Sequence, residues 1–126
     1  MKPKKILRFY FGAESLERAF DNLIISKASD FGADTLETAE RLCAVIGEKM
    51  RLKRLWAYLD GVLSAFSEGD KAALKNYSLK RTASFDSAEL RAVKRAVIKF
   101  TRHARRIGEF ADDFPVLSKY YCLIRV

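Results

Sequence analysis

The feature that most constrains this chain is a cationic, amphipathic stretch between Glu89 and Glu109. It contains no acidic residue, and its apolar residues recur three or four positions apart, which is the spacing of one face of an α-helix. Those apolar residues are Leu90, Val93, Val97, Phe100, Ala104 and Ile107. The basic residues of the stretch are Arg91, Lys94, Arg95, Lys99, Arg102, Arg105 and Arg106. The pattern predicts a helix that buries one stripe and presents positive charge to an anionic partner.

The positive charge of the chain is concentrated around this stretch. Residues 49–107 hold fifteen Lys and Arg against five Asp and Glu, whereas residues 1–48 and 108–126 each have a net charge of −1. The whole chain has a formal net charge of +8 at pH 7. A localised positive field attracts polyanions, although the same cations can also serve only to keep a surface soluble.

Length and hydrophobicity predict a single domain over residues 1–126. The chain is 49% hydrophobic, which is enough for one core at this length. Its uninterrupted apolar runs are too short for a transmembrane helix, and its basic start lacks a signal-peptide cleavage pattern. We therefore expect a cytoplasmic protein.

Helical periodicity covers most of the chain and predicts a mainly α bundle of four or five helices. The predicted helix starts are Ser15, the capping box at 34–37, Ser67, and Asp86 or Ser87. The second helix is either one long helix or two joined near Gly47. The side chains expected to face inward along its first half are Leu36, Ala39, Leu42, Cys43, Ile46 and Met50. Gly108 is expected to end the basic helix.

The two termini predict strands. Residues 6–11 and 120–126 are rich in aromatic and branched side chains, which favours extended structure. Neither segment would be stable alone, so we expect them to pair as a small antiparallel two-stranded sheet that closes the domain. Phe114 and Pro115 are expected to block further helix before the last strand.

Motifs for catalysis or metal binding are missing from the sequence. It has no glycine-rich phosphate loop, no nucleophile elbow and no paired-histidine metal motif. One histidine, His103, and two cysteines, Cys43 and Cys122, are too few for a metal cluster or a disulfide framework. We expect both cysteines to be buried and the protein to be non-enzymatic, without a metal or cofactor.

Residues 59–107 resemble the C-terminal promoter-reading region of bacterial sigma-70-like factors. The family's first part is matched by Leu63, Phe66, Ser67, Glu68, Leu74 and Tyr77. Its arginine-rich final run is matched by Thr101, Arg102, His103, Ala104, Arg105 and Arg106. The glycine-containing turn that precedes the recognition helix in that family has no counterpart in this chain. The resemblance implies transcription-related binding to DNA or to RNA polymerase.

These observations favour a small nucleic-acid-binding protein that contacts the phosphates of DNA or RNA through the seven basic residues. A helix from Arg91 to Arg106 is roughly 24 Å long, which is enough to follow several phosphates. A second basic cluster at 49–54 would extend the surface if the helix that carries it lies beside the basic helix.

The alternative is an interaction module that docks an acidic protein or self-associates through its amphipathic helices. Membrane binding is disfavoured because the stripe of the basic helix lacks bulky aromatic side chains, and the sequence leaves the oligomeric state open.

Overall fold

The computed structural model describes residues 1–29, 35–80 and 84–125, and all regular structure within these ranges is helical. The α-helices are α1 (Pro3–Phe11), α2 (Ala13–Ser29), α3 (Thr35–Leu63), α4 (Glu68–Leu79), α5 (Ser87–His103) and α6 (Phe114–Tyr120). A 3₁₀ helix over Arg105–Asp113 lies between α5 and α6, and a second one over Tyr121–Leu123 follows α6. The prediction of a mainly helical bundle is confirmed, with six α-helices among the described residues rather than four or five. No helix in the described ranges is long and apolar enough to cross a membrane.

The predicted two-stranded sheet is wrong. The first segment lies in α1, and the described part of the second begins in the last turn of α6 and continues as 3₁₀ helix. Within α1 the adjacent residues Ile6 and Leu7 are both buried, which one face of an alternating strand does not allow. Pro3 occupies the first turn of α1, where its fixed φ angle favours the helix and its missing N–H is not needed.

The two ends of the chain nevertheless meet, through side chains instead of a sheet. The Ser15 hydroxyl accepts a hydrogen bond of 2.7 Å from the backbone N–H of Arg125 and lies 2.9 Å from its carbonyl oxygen. The cationic groups of Lys5 and Arg8 lie 5.4 and 5.9 Å from the centre of the Tyr121 ring. These contacts close the domain as the predicted strand pair was expected to do.

Helix α3 runs without a break through Gly47 and forms the centre of the core. Its buried row consists of Val45, Leu52, Leu55, Leu59 and Leu63. Contacts with α1, α2, α5, α6 and the first 3₁₀ helix surround it. The helical spacing of the sequence also predicts the C-terminal half of this row, at Leu55, Leu59 and Leu63, and their burial confirms it.

The inward face predicted for the first half of α3 is wrong. Leu36, Cys43, Ile46 and Met50 are all exposed, and Val45 is buried in their place. Two apolar rows run along opposite sides of this helix, and both have helical spacing. Periodicity alone could not decide which of them α2 would cover.

Two predicted helix starts are confirmed by hydrogen bonds at their caps. The Ser67 hydroxyl accepts from the backbone N–H of Asp70 at 3.2 Å, and the Asp86 carboxylate accepts from that of Glu89 at 2.8 Å. Each bond satisfies a backbone N–H that the first turn of a helix leaves without a partner. The start predicted at 34–37 agrees with α3 beginning at Thr35, although residue 34 lies outside the described ranges.

The basic helix ends earlier than predicted, at His103 instead of Gly108. Buried or half-buried side chains then recur every third position, at Ala104, Ile107, Phe110 and Asp113. That spacing matches the three residues per turn of a 3₁₀ helix, which places all four on one side. The tighter helix therefore keeps a continuous packed face where an α-helix would rotate it away.

Two smaller predictions also require correction. Pro115 does not block helix formation, because it lies in the first turn of α6, where no backbone N–H is required. Cys43 and Cys122 are exposed and free rather than buried. His103 is exposed, with Nδ1 2.9 Å from the carbonyl oxygen of Lys99.

Because Leu52 is on the buried face of α3 and Leu36 on the exposed face, two similar substitutions should lower the free energy of unfolding by different amounts. Leu52→Ala should lower the free energy of unfolding by about 2–5 kcal/mol because it opens a cavity in the core. Leu36→Ala, in the same helix, should change it by less than about 0.5 kcal/mol because Leu36 is 72% exposed. Denaturant unfolding of the two variants would measure both values. Equal losses would contradict the assigned face.

The environment of Tyr10 should make the free energy of unfolding depend on pH in the alkaline range. Its hydroxyl donates a 2.7 Å hydrogen bond to Asp60, and its ring stacks on Trp56 with centroids 5.6 Å apart. Burial, together with the Asp60 carboxylate, raises the pKa of Tyr10 from 10.0 to about 12. The unfolded chain therefore loses this proton at lower pH than the folded chain, so the free energy of unfolding should fall as the pH rises from 10.0 towards 12.

The Tyr10→Phe variant tests this prediction. It should flatten the fall in stability above pH 10.0, because no phenolic proton remains at that position. Near neutral pH it should cost about 1 kcal/mol for the lost hydrogen bond to Asp60. Denaturant unfolding across this pH range would measure both effects, with Tyr58→Phe as the matched control. An unchanged alkaline profile in Tyr10→Phe would contradict the assigned proton.

Candidate nucleic-acid interface

Helix α5 is anchored to the core along one side. Of the predicted apolar stripe, Val93, Phe100 and Ala104 are 5%, 3% and 3% exposed, and the other three residues are half-buried. Ala96, which was not predicted in the stripe, is also buried, at 1% exposed. The cap at Asp86 fixes where the helix begins, and the hydrogen bond from the backbone of Glu89 lowers the pKa of the Asp86 carboxyl. With its start and its inner face both fixed, α5 has a defined outer face.

The outer face carries four of the seven predicted basic residues. Arg91, Lys94, Arg95 and Arg102 are all exposed. Their spacings of three, four and seven positions place them on one side of the helix, opposite the buried stripe. They span roughly 16 Å of helix axis. None of the four forms an ion pair with a carboxylate among the described residues, so their charges are available to a partner.

Lys99 belongs to a different environment from these four. Its ammonium group lies 3.2 Å from a carboxylate oxygen of Asp70 on α4 and 4.6 Å from the centre of the Phe66 ring. Its side chain is 39% exposed. An ion pair and a cation–π contact thus hold Lys99 against the domain, where it joins α5 to α4. We assign it to stability and not to the outer face.

Arg105 and Arg106 lie beyond the end of α5. Arg105 is exposed and forms no ion pair with a described residue. The Arg106 guanidinium donates two hydrogen bonds of 3.1 and 3.0 Å to Glu109, which lowers the pKa of the Glu109 carboxyl. Its backbone N–H also donates to the Tyr58 hydroxyl at 3.2 Å. Arg106 therefore already pairs with a carboxylate of the same chain, whereas Arg105 adds a cation that has no such partner in the described ranges.

The second basic cluster, at 49–54, does not extend this surface as a block of free charge. Lys49 pairs with Asp21 at 2.7 Å, and Lys53 pairs with Glu17 at 3.2 Å. Arg51 lies 3.9 Å from Asp113. These ion pairs tie α3 to its neighbours in the bundle. Arg54 of this cluster has no carboxylate partner among the described residues, and neither do several cations outside α5, including Lys2, Lys5 and Lys75. What distinguishes α5 and Arg105 is that five such cations lie there in one row.

Sequence reasoning missed one residue of the outer face. Ile98 lies among Arg91, Lys94, Arg95 and Arg102 and is 54% exposed. It was expected neither in the core stripe nor among the polar residues. Its position, seven residues after Arg91 and four before Arg102, would have placed it on the outer face. An exposed branched side chain there can contact the sugars or base edges of a nucleic acid, or the apolar part of a protein.

A cavity of about 550 Å³ lies elsewhere, between α1, α2 and α3. Its walls are largely aromatic and include Phe11, Phe20 and Trp56. The lysines at its rim are those already paired with Asp21 and Glu17. Among the described residues no group of three or more His, Cys, Asp or Glu side chains could hold a metal ion. The outer face of α5 therefore has the more specific chemistry.

Because Lys99 and Arg102 lie in different environments, substituting them should change the free energy of unfolding by different amounts. Lys99→Ala should lower the free energy of unfolding by about 1 kcal/mol, because it removes the contacts to Asp70 and Phe66. Arg102→Ala should leave it within about 0.5 kcal/mol, because that side chain has no acidic partner in the described ranges. Thermal or denaturant unfolding measures both. A larger loss for Arg102→Ala would contradict the division of roles.

Comparison with known proteins does not indicate what this surface binds. No family model, curated protein or solved structure matches the chain. The resemblance of residues 59–107 to sigma-70-like factors therefore stays a prediction. What the outer face of α5 does has to be inferred from its geometry and charge.

Proposed function

We propose that this protein binds nucleic acid through the outer face of α5, without catalysing a reaction. The observation that carries the proposal is the row of Arg91, Lys94, Arg95 and Arg102, exposed on one side of an anchored helix and free of acidic partners in the described ranges. Arg105 continues the row past the end of the helix. Cations fixed in this way suit a line of phosphates better than a single small anion.

The side chains of this face suit phosphate recognition. Four of the five cations are arginines, whose planar guanidinium groups bind phosphate oxygens and guanine edges in a bidentate manner. The burial of Val93, Ala96 and Phe100 means that α5 can approach a nucleic acid without leaving the core. The resemblance to the promoter-reading region of sigma factors favours DNA over RNA and a role in transcription, with RNA polymerase as a further candidate partner.

A second candidate function is docking on an acidic protein partner, and Ile98 is the observation that favours it. An exposed isoleucine surrounded by cations matches the composition of a protein interface that has an apolar centre and a charged rim. Salt would weaken binding to either candidate partner. Binding to a naked nucleic acid distinguishes them.

The test is fluorescence anisotropy with labelled duplex DNA and single-stranded RNA at several salt concentrations. Five phosphate contacts predict a slope of log affinity against log salt of about −4.5 on duplex DNA. The triple variant Arg91→Gln, Arg95→Gln, Arg102→Gln should reduce the magnitude of the slope by about 3. No binding to either polymer at low salt would contradict the proposal and leave the acidic-protein partner as the remaining candidate.

A matched control separates this face from the net charge of the chain. The triple variant Arg18→Gln, Arg41→Gln, Arg51→Gln makes the same change in formal charge, from +8 to +5. Each of these arginines lies beside a carboxylate of the same chain, in Glu14, Glu37 and Asp113 respectively. The control should leave the salt slope nearly unchanged. Equal losses in the two triple variants would show that binding depends on overall charge and not on α5.

A further inference from the structure

Helix α3 has a second apolar face, on the side opposite its buried leucine row. Leu36, Ile46 and Met50 on this face are 72%, 41% and 54% exposed. Cys43 is exposed between them. Their spacing along the helix is the same three-and-four pattern that marks a buried stripe. Three large apolar side chains in a row on one helix differ from the singly scattered ones that a normal surface carries.

A glycine lies in the middle of this face. Gly47 is exposed inside α3, and no other part of the described chain comes within 4 Å of the position that a Cβ atom would take. Glycine is less favourable than alanine in a helix interior, so this residue weakens the helix without relieving any contact inside the chain. A bare backbone at this point does allow the backbone of another helix to approach closely.

Two charges on the same face lie symmetrically about Gly47, and a third charge near them, Arg51, lies 3.9 Å from Asp113 of the same chain. Glu40 lies seven residues before it and Arg54 seven residues after it, and both are exposed. Neither forms an ion pair or hydrogen bond with another described residue. Seven residues are two helical turns, so both charges lie on the side of α3 that carries Gly47. A second α3 running antiparallel, with the two Gly47 residues in contact, would place each Glu40 opposite an Arg54.

We propose that a second copy of this chain binds along this face, with the two α3 helices antiparallel about a two-fold axis at Gly47. The contact joins two opposite-charge pairs, Glu40 to Arg54 of the partner subunit and the reverse. A parallel arrangement would place like charges together. Met50 of each copy then packs against the small side chains near Cys43 of the other, which removes the Met50 side chain from water. This dimer goes beyond the proposed nucleic-acid binding, and it uses no residue of α5.

Charge reversal tests the antiparallel arrangement, with sedimentation velocity of the full chain as the measurement. Glu40→Arg and Arg54→Glu should each raise the dissociation constant of the dimer by about ten-fold, because each creates two like-charge pairs. The double variant should restore the native value, because it restores both opposite-charge pairs. A native chain that stays monomeric into the high micromolar range would overturn the proposal, and so would a double variant weaker than both single variants.

Disulfide trapping tests the register independently. In a background of Cys43→Ser and Cys122→Ser, the Gly47→Cys variant should form a covalent dimer under mild oxidation, because the axis brings these two positions together. Gly61→Cys is the matched control: Gly61 is also an exposed glycine of α3 with nothing within 4 Å of its Cβ position. In the proposed dimer the two Gly61 positions are roughly 42 Å apart along the axis. No covalent dimer at Gly47, or an equal yield at Gly61, would overturn the proposal.

Discussion

The leucine row of α3 is the contact on which the rest of the structure depends. Leu55, Leu59 and Leu63 are completely buried, and Leu52 is nearly so. Helices α1, α2, α5 and α6 and the first 3₁₀ helix all touch α3, while α4 is held mainly through its contacts with α1 and α5. The position of α5 depends on this core, because its buried residues Ala96 and Phe100 belong to the same cluster of apolar side chains. Losing the row would therefore loosen the surface that we propose for nucleic acid as well as the bundle.

The basic residues of the chain divide into structural and available groups. Lys49, Lys53, Lys99 and Arg106 each lie beside a carboxylate of the same chain. The cations of the outer face of α5 have no such partner in the described ranges. Net charge counts both groups equally, so it overstates the charge that a partner can reach. The proposed interface lies on α5 and Arg105 because five exposed cations without a carboxylate partner in the described ranges form one row there, and not because of the total of +8.

How far the sequence predicts this structure depends on how local the controlling interaction is. The caps at Ser67 and Asp86 involve neighbours three residues away, and both were predicted. The face of α3 was ambiguous because two apolar rows compete, and only the packing of α2 decides between them. The terminal segments have the composition of strands, yet Pro3 in the first helical turn was the signal that favoured α1. The 3₁₀ helix was also encoded, in the spacing of three between Ala104, Ile107 and later residues.

The candidate site, too, could be predicted only where the interactions that control it are local in the sequence. The helical spacing of Arg91, Lys94, Arg95 and Arg102 was sufficient to predict a common face. Lys99 was placed with them because its partner Asp70 is 29 residues away, on another helix, and sequence spacing carries no information about that contact. The pairing of Arg106 with Glu109 was closer to predictable, since only three residues separate them. One long-range ion pair, at Lys99, and one local ion pair, at Arg106, therefore account for the part of the interface that was overestimated from the sequence.

The central claim is that the outer face of α5 is the surface that touches nucleic acid. The most direct measurement is an NMR titration of the full chain with a short DNA duplex, following each backbone amide. The largest shift changes should fall on the amides of Arg91, Arg95, Ile98 and Arg102, with little change along α1 and α2. Shift changes centred on α1, α2 or the exposed face of α3, or none at a saturating duplex concentration, would contradict it.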